Sequence, residues 1–173
     1  TALALQGRAH YLGFNEHRVT LFGPPGEKLP KWYQEYNWGI EINSKSSDFL
    51  PREQGLIELG HKSFNVLISG PARAVMECLY LAPAHQPLLE TYELMQGLNN
   101  LRPLSVQKLL ESCRSVKVKR LFLYMAEKAG HDWFSFVNTE KVDLGSGKRM
   151  ITPGGVLNVK YQITVPEELE SAK

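Results

Sequence analysis

The sequence predicts a mixed α/β fold, with a small mixed β-sheet in the N-terminal half, a helical half after it and an extended C-terminal arm. Three observations predict this arrangement. Short β-branched and aromatic runs between Gly and Pro fill residues 1–70. Helically spaced apolar residues fill 71–138, and Gly pairs among β-branched residues occupy 139–173. A length of 173 residues fits one domain with these three subregions.

The first subregion reads as a helix, two strands joined by a short helix, and a hairpin. The spacing predicts these elements over 1–12, 17–23, 30–36, 38–43 and 56–69. Two strands separated by a helix favour a parallel crossover, although this connection is near the minimum length.

The second subregion reads as four helices and a short helix or turn. They are expected over 71–82, 87–97, a segment capped by Ser105, 115–129 and 131–137.

The tail differs from both. Residues 142–155 and 159–166 suggest a small ribbon or an extended arm, and 167–173 are expected to fray. Because Thr1 opens inside a helical pattern, we expect the chain to be a fragment whose N-terminal part is missing.

Composition excludes several classes of protein. The chain is 43% hydrophobic and 22% charged, as globular domains are. No apolar run approaches a membrane span, so no membrane partner is expected. Cys78 and Cys113 lack metal-site or disulfide spacing, and the five histidines share no ligand spacing, so we expect no metal and no cofactor. Unpaired cysteines favour a reducing, cytoplasmic location.

Positive charge is concentrated around the predicted helix at 115–129. Between Arg102 and Lys128 there are seven basic and two acidic residues, while the whole chain carries only +2. Helical spacing places cations on an arc beside the apolar arc, which predicts a polyanion partner. The candidate nucleic-acid-binding residues are Arg114, Lys117, Lys119, Arg120, Tyr124, Lys128, Lys148 and Arg149.

Two glycine-rich segments are weaker candidates. GSGKR at 145–149 is expected to be a tight turn, with an anion contact as the alternative. It is not a P-loop, because Val142 replaces the first glycine and no Ser or Thr follows the lysine. GPPG at 23–26, with Trp32 and Trp38, favours a rigid turn beside core aromatic residues over a binding ledge.

No catalytic constellation is evident, so the chain is not expected to be an enzyme. Asp48 and Glu58 invite comparison with metal-dependent nucleases, but Gly60 stands where the lysine is needed.

Five segments resemble one bacterial family over essentially the whole chain: 2–13, 19–32, 115–134, 142–155 and 161–166. This is the antitoxin and transcriptional-regulator family of the type IV, abortive-infection E toxin–antitoxin systems. The resemblance implies repression of its own operon through operator DNA, which an N-terminal winged-helix domain would bind, and we expect this chain to lack that domain. It also implies that the functional partner is a nucleotidyltransferase toxin, which the antitoxin opposes without forming a stable complex with it.

Two alternatives remain open at this point. One is an inactive or unusual nuclease-like or nucleotide-handling enzyme domain, suggested by the mixed sheet and GSGKR. The other is a protein-interaction module whose basic face only confers solubility.

Overall fold

A computed structural model describes residues 2–7 and 18–172 of the chain. Its helices and strands alternate irregularly, and the mixed α and β fold class is confirmed. The elements in the first part are α1 (Ala2–Leu5), β1 (Arg18–Gly23), α2 (Lys31–Glu35), β2 (Glu41–Ser46), β3 (Leu56–His61) and β4 (Phe64–Ser69). The helix predicted over 1–12 ends at Leu5, because residues 6–7 form a turn with Gly7 at φ 67°, and residues 1 and 8–12 lie outside the described residues.

The strands of this first part form two separate two-stranded sheets instead of one mixed sheet. β1 and β2 pair in parallel, as the crossover pattern predicted, with Arg18 opposite Glu41. β3 and β4 form the predicted antiparallel hairpin. The loop between the sheets buries Phe49 and Leu50, each 5% exposed, and so connects through the core rather than along a sheet edge.

The second part is a helical bundle. Its helices are α3 (Pro71–Leu81), α4 (Leu88–Gln96), α5 (Pro103–Ser112) and α6 (Val116–Ala129), followed by 3₁₀ turns at Asp132–Phe136 and Thr139–Lys141. α5 begins two residues earlier than the predicted cap at Ser105, because Pro103 supplies the first helical position.

α6 lies at the centre of the bundle. Ser115 caps its start by accepting a hydrogen bond from the Val118 amide, and Gly130 ends it in the left-handed region at φ 68°. All nine residues from Val118 to Ala126 are buried. A helix enclosed on every side belongs to the core.

The C-terminal segment folds back onto this bundle. It forms the short strands β5 (Arg149–Met150), β6 (Val156–Asn158) and β7 (Ile163–Val165), and then α7 (Glu167–Ser171). β7 lies between the other two strands, parallel to β5 and antiparallel to β6. The predicted fraying of 167–173 is wrong over α7, because Leu169 is fully buried and anchors that helix.

None of the helices within residues 2–7 and 18–172 has the length and apolar character of a membrane-spanning helix.

Candidate nucleic-acid interface

The cationic arc predicted on α6 does not face solvent. Lys119 is 5% exposed, Arg120 is 2% exposed and Tyr124 is 4% exposed. The helical spacing was correct, but it could not indicate that the C-terminal segment covers the polar arc. The expectation that these side chains project outward as one cationic surface is therefore wrong.

Arg120 binds the backbone of the C-terminal segment. Its Nε donates to the carbonyl oxygen of Leu144 at 2.8 Å, and Nη2 donates to Gly145 at 3.1 Å. Nη1 donates to the carbonyl oxygens of Gly147 at 2.7 Å and Gln162 at 3.0 Å. A guanidinium carries five N–H groups in a fixed fork, so one buried side chain satisfies four carbonyl groups that arrive from two segments.

Burial lowers the pKa of Arg120, and the positive charge of Arg149 lowers it further. The four carbonyl dipoles offset the cost of burying this charge without a carboxylate. Arg120 is therefore a structural cation, unavailable to phosphate in this conformation.

The GSGKR segment surrounds this guanidinium. Gly145 and Gly147 adopt φ +61° and +74°, in the left-handed region that glycine tolerates. A Cβ on Gly145 would lie 3.1 Å from a Val116 side-chain atom, so this loop packs closely on α6. The turn is confirmed, but its carbonyl groups converge on a cation, which disfavours the alternative of an anion cradle. Lys148 and Arg149 at its end remain exposed.

Lys117 is half-buried and binds the end of α3. Its Nζ donates to the carbonyl oxygens of Tyr80 at 2.8 Å and Ala82 at 2.6 Å. These groups lie at a helix C-terminus, where carbonyl groups lack helical partners. Burial lowers the pKa of Lys117, and the positive charge of Lys45 lowers it further.

Tyr124 and Lys128 hold α7 against α6. The Tyr124 hydroxyl donates to the Glu170 carboxylate, and the Lys128 Nζ donates to the Glu170 carbonyl oxygen at 2.9 Å. Burial raises the pKa of Tyr124, and the adjacent Glu170 carboxylate raises it further. Lys119 lies close enough to Cys113 to oppose the burial that raises the pKa of that thiol.

Three of the eight candidate residues remain exposed. Arg114 makes an ion pair with Asp48, and both side chains are largely in solvent, at 72% and 62% exposed. Lys148 and Arg149 are also exposed. Neither forms an ion pair with any residue in the described ranges 2–7 and 18–172. Among the eight candidates, the exposed cations without an ion-pair partner among the described residues are therefore at the GSGKR loop and not along α6.

The connection between α5 and α6 has the length of a helix-turn-helix, with three residues, 113–115, between the helices. In that motif the second helix enters the major groove and must be exposed. Because α6 is enclosed in the bundle, it cannot serve as a recognition helix in this fold.

The sequence prediction of core aromatic residues near GPPG is wrong. Trp32, Tyr36 and Trp38 are 65%, 62% and 40% exposed. They form a connected surface cluster with Tyr33, which we call the aromatic ledge. Trp38 lies 4.8 Å from Tyr33 and 4.6 Å from Tyr36 between ring centroids, and Trp32 lies 5.6 Å from Tyr33. One sequence signal could have indicated that these rings are exposed: the residues around them lack the periodic apolar pattern of a buried helix or strand.

The acidic residues considered in the nuclease comparison have other roles. Asp48 pairs with Arg114, and Glu58 accepts a hydrogen bond from Asn65 at 3.1 Å. Across the part of the chain that the structure describes, no three His, Cys, Asp or Glu side chains converge as a metal site would require.

A family model described as "Transcriptional regulator, AbiEi antitoxin, Type IV TA system" matches residues 16–166. The chain belongs to the AbiEi antitoxin family. The predicted resemblance is confirmed at this level. The matched range of this AbiEi protein spans every strand and helices α2–α6. It is thus a member of a family of transcriptional regulators and type IV antitoxins.

One solved structure shares the fold of this AbiEi protein. It is the crystal structure of the RV2827C protein from Mycobacterium tuberculosis, with a TM-score of 0.61 and 13% sequence identity. The similarity covers 94% of this chain and 59% of the M. tuberculosis chain, so this chain spans less than two thirds of that protein's length. No curated protein sequence matches significantly.

Proposed function

We propose that this chain counters a nucleotidyltransferase toxin as a non-enzymatic antitoxin domain, and contributes phosphate contacts to repression of its own operon. The observation that carries the proposal is the family match over residues 16–166. We further propose that it acts in the cytoplasm, opposes the toxin without a stable complex, and depends on an N-terminal winged-helix domain for operator specificity.

The proposed duplex contact uses Lys148 and Arg149. Both are exposed, and the loop before them is fixed by Arg120, which reduces the entropy lost when they meet a phosphate. Phosphate contacts position a protein on DNA without reading its sequence. This role therefore suits a domain that supplements another DNA-binding domain.

The salt dependence of DNA binding tests this contact. We expect K148A/R149A to weaken binding of this chain to a labelled duplex carrying its own promoter, most clearly at low salt. Each lost phosphate contact should reduce the slope of log K against log salt by about 0.9, so the double variant should reduce it by about 2. Fluorescence anisotropy over a salt series measures the slope.

R102A/K108A is the matched control, because it removes two other exposed cations: Arg102, at the N-cap of α5, and Lys108, within that helix. It should leave the slope unchanged. Equal slopes for K148A/R149A and wild type would remove the GSGKR loop from DNA binding.

Growth measurements test the antitoxin role. Co-expression of this chain with the toxin encoded beside it should restore growth, and the two proteins should elute separately in size-exclusion chromatography. K148A/R149A should still restore growth, since the proposed duplex contact serves repression. Continued growth arrest with the folded chain present would contradict antitoxicity, and co-elution would contradict the absence of a stable complex.

A further inference from the structure

The aromatic ledge is an exposed site without a structural role in the core. Trp32, Tyr33, Tyr36 and Trp38 contact one another, yet three of them keep 40% or more of their surface in solvent. Large aromatic side chains are normally buried, and their exposure in a group marks a binding surface.

The local backbone holds the ledge in place. The Trp38 indole Nε1 donates to the Tyr33 carbonyl oxygen at 2.8 Å, and the Gln34 amide donates to the Leu29 carbonyl oxygen. Pro30 precedes α2 and restricts its entry. The rings are therefore preorganised, so a ligand that stacks on them loses little side-chain entropy.

Two lysines lie next to the ledge in sequence. Lys28 and Lys31 are exposed, and neither forms an ion pair with any residue the structure describes. Two carboxylates close to it in sequence form ion pairs: Glu27 with Arg52, and Glu41 with Arg18 at 2.8 Å.

One exposed carboxylate, Glu35, opposes an anionic ligand. It lies one helical turn after Lys31 and three residues after Trp32. Removing this negative charge should therefore strengthen the binding of an anionic ligand, whereas removing a ring should weaken it.

We propose that the aromatic ledge binds single-stranded nucleic acid by stacking unpaired bases on Trp32 and Tyr36. Aromatic rings stack on every base, and adjacent lysines attract the backbone phosphates. The exposed part of the β3–β4 hairpin is different in character, with aliphatic residues Ile57, Val66 and Leu67 beside Phe64. The tip of that hairpin carries Lys62 with the rings of His61 and Phe64, whereas four larger rings and two lysines lie on and beside α2. This larger aromatic surface favours nucleic acid there over a protein partner.

Fluorescence anisotropy with labelled 12-nucleotide oligouridylate and oligothymidylate tests the proposal, using the whole chain at low salt. W32A and Y36A should each weaken binding at least fivefold, since loss of one stacked base costs roughly 5- to 150-fold. E35Q should tighten binding, because it removes a repulsive charge. Comparison of the two oligonucleotides distinguishes RNA from DNA as the source of the bases.

F136A is the matched control, because Phe136 is also an exposed aromatic residue, 75% accessible, but lies in a 3₁₀ turn away from α2. It should bind as wild type does. Circular dichroism should confirm that all variants fold, which is expected because the substituted rings are mostly in solvent.

Three results would overturn the proposal: unchanged affinity in W32A and Y36A, equal losses in F136A, or self-association that W32A abolishes. The last would assign the ledge to a second copy of the chain, and light scattering detects it. This test is independent of the proposed function, because duplex binding is read through Lys148 and Arg149 and antitoxicity through growth.

Discussion

Replacing Arg120 with Met should lower the free energy of unfolding by about 3 kcal/mol. The variant loses four hydrogen bonds at once and leaves the carbonyl groups of Leu144, Gly145 and Gly147 without this donor, while the Gln162 carbonyl keeps the hydrogen bond from the Arg149 amide at 2.9 Å. Each unsatisfied buried acceptor costs about 1–3 kcal/mol, but water can reach the exposed Gly145 and Gly147 and recover part of the loss. Urea unfolding at pH 7 measures the change.

Two further substitutions serve as controls for R120M. R149M removes a neighbouring cation that is exposed, so its effect should stay within about 0.5 kcal/mol. R120K keeps the charge but lacks the planar fork, so it should fall between wild type and R120M. Faster amide exchange at 144–149 in R120M would locate the loss at this loop, whereas wild-type stability in R120M would contradict the structural role of the guanidinium.

Replacing Arg73 with Met should also cost about 3 kcal/mol at pH 7. Arg73 is 8% exposed, and its Nη1 donates to the carbonyl oxygens of Pro51 at 2.7 Å and Gln54 at 2.6 Å. Its Nε donates to Glu77 at 2.8 Å. Without the guanidinium, Glu77 keeps the hydrogen bond from the Ser69 hydroxyl but loses its paired cation.

The loss in R73M should depend on pH in a defined direction. Burial raises the pKa of Glu77 above its ordinary value, while Ser69 and Arg73 oppose that shift. A carboxyl group with a raised folded-state pKa contributes stability below its unfolded pKa, and that contribution disappears as pH rises through the folded pKa. Removing Arg73 raises the folded pKa further. The difference between wild type and R73M should therefore shrink as pH falls from 7 toward 4.

The double variant R73M/E77Q separates charge from packing. It removes the buried carboxylate together with its cation, so it should be less destabilised than R73M alone at pH 7. Equal destabilisation of the single and double variants would show that the carbonyl contacts, and not the unpaired charge, dominate the loss.

Periodicity predicted the local structure well. The helix predicted over 115–129 agrees with α6 to within one residue, and the hairpin and the parallel pair followed from their strand patterns. These features depend on residues close together in sequence, for which spacing and capping are sufficient information.

The exposure of side chains could not be predicted in the same way. Arg120 is buried because carbonyl groups 24 to 42 residues later in the chain cover it. The opposite error occurred at Trp32, where composition favours the core but no element covers the ring. Both outcomes depend on tertiary contacts, so a charge cluster or aromatic cluster in a sequence does not by itself indicate a surface.

The bonds from α6 to the C-terminal segment have a consequence for synthesis on the ribosome. Tyr124 and Lys128 bind Glu170, which lies 46 and 42 residues later. Because translation proceeds from the N-terminus, the central helix is synthesised before these last acceptors. We therefore expect the bundle to reach its final packing only after residue 170 has emerged from the ribosome.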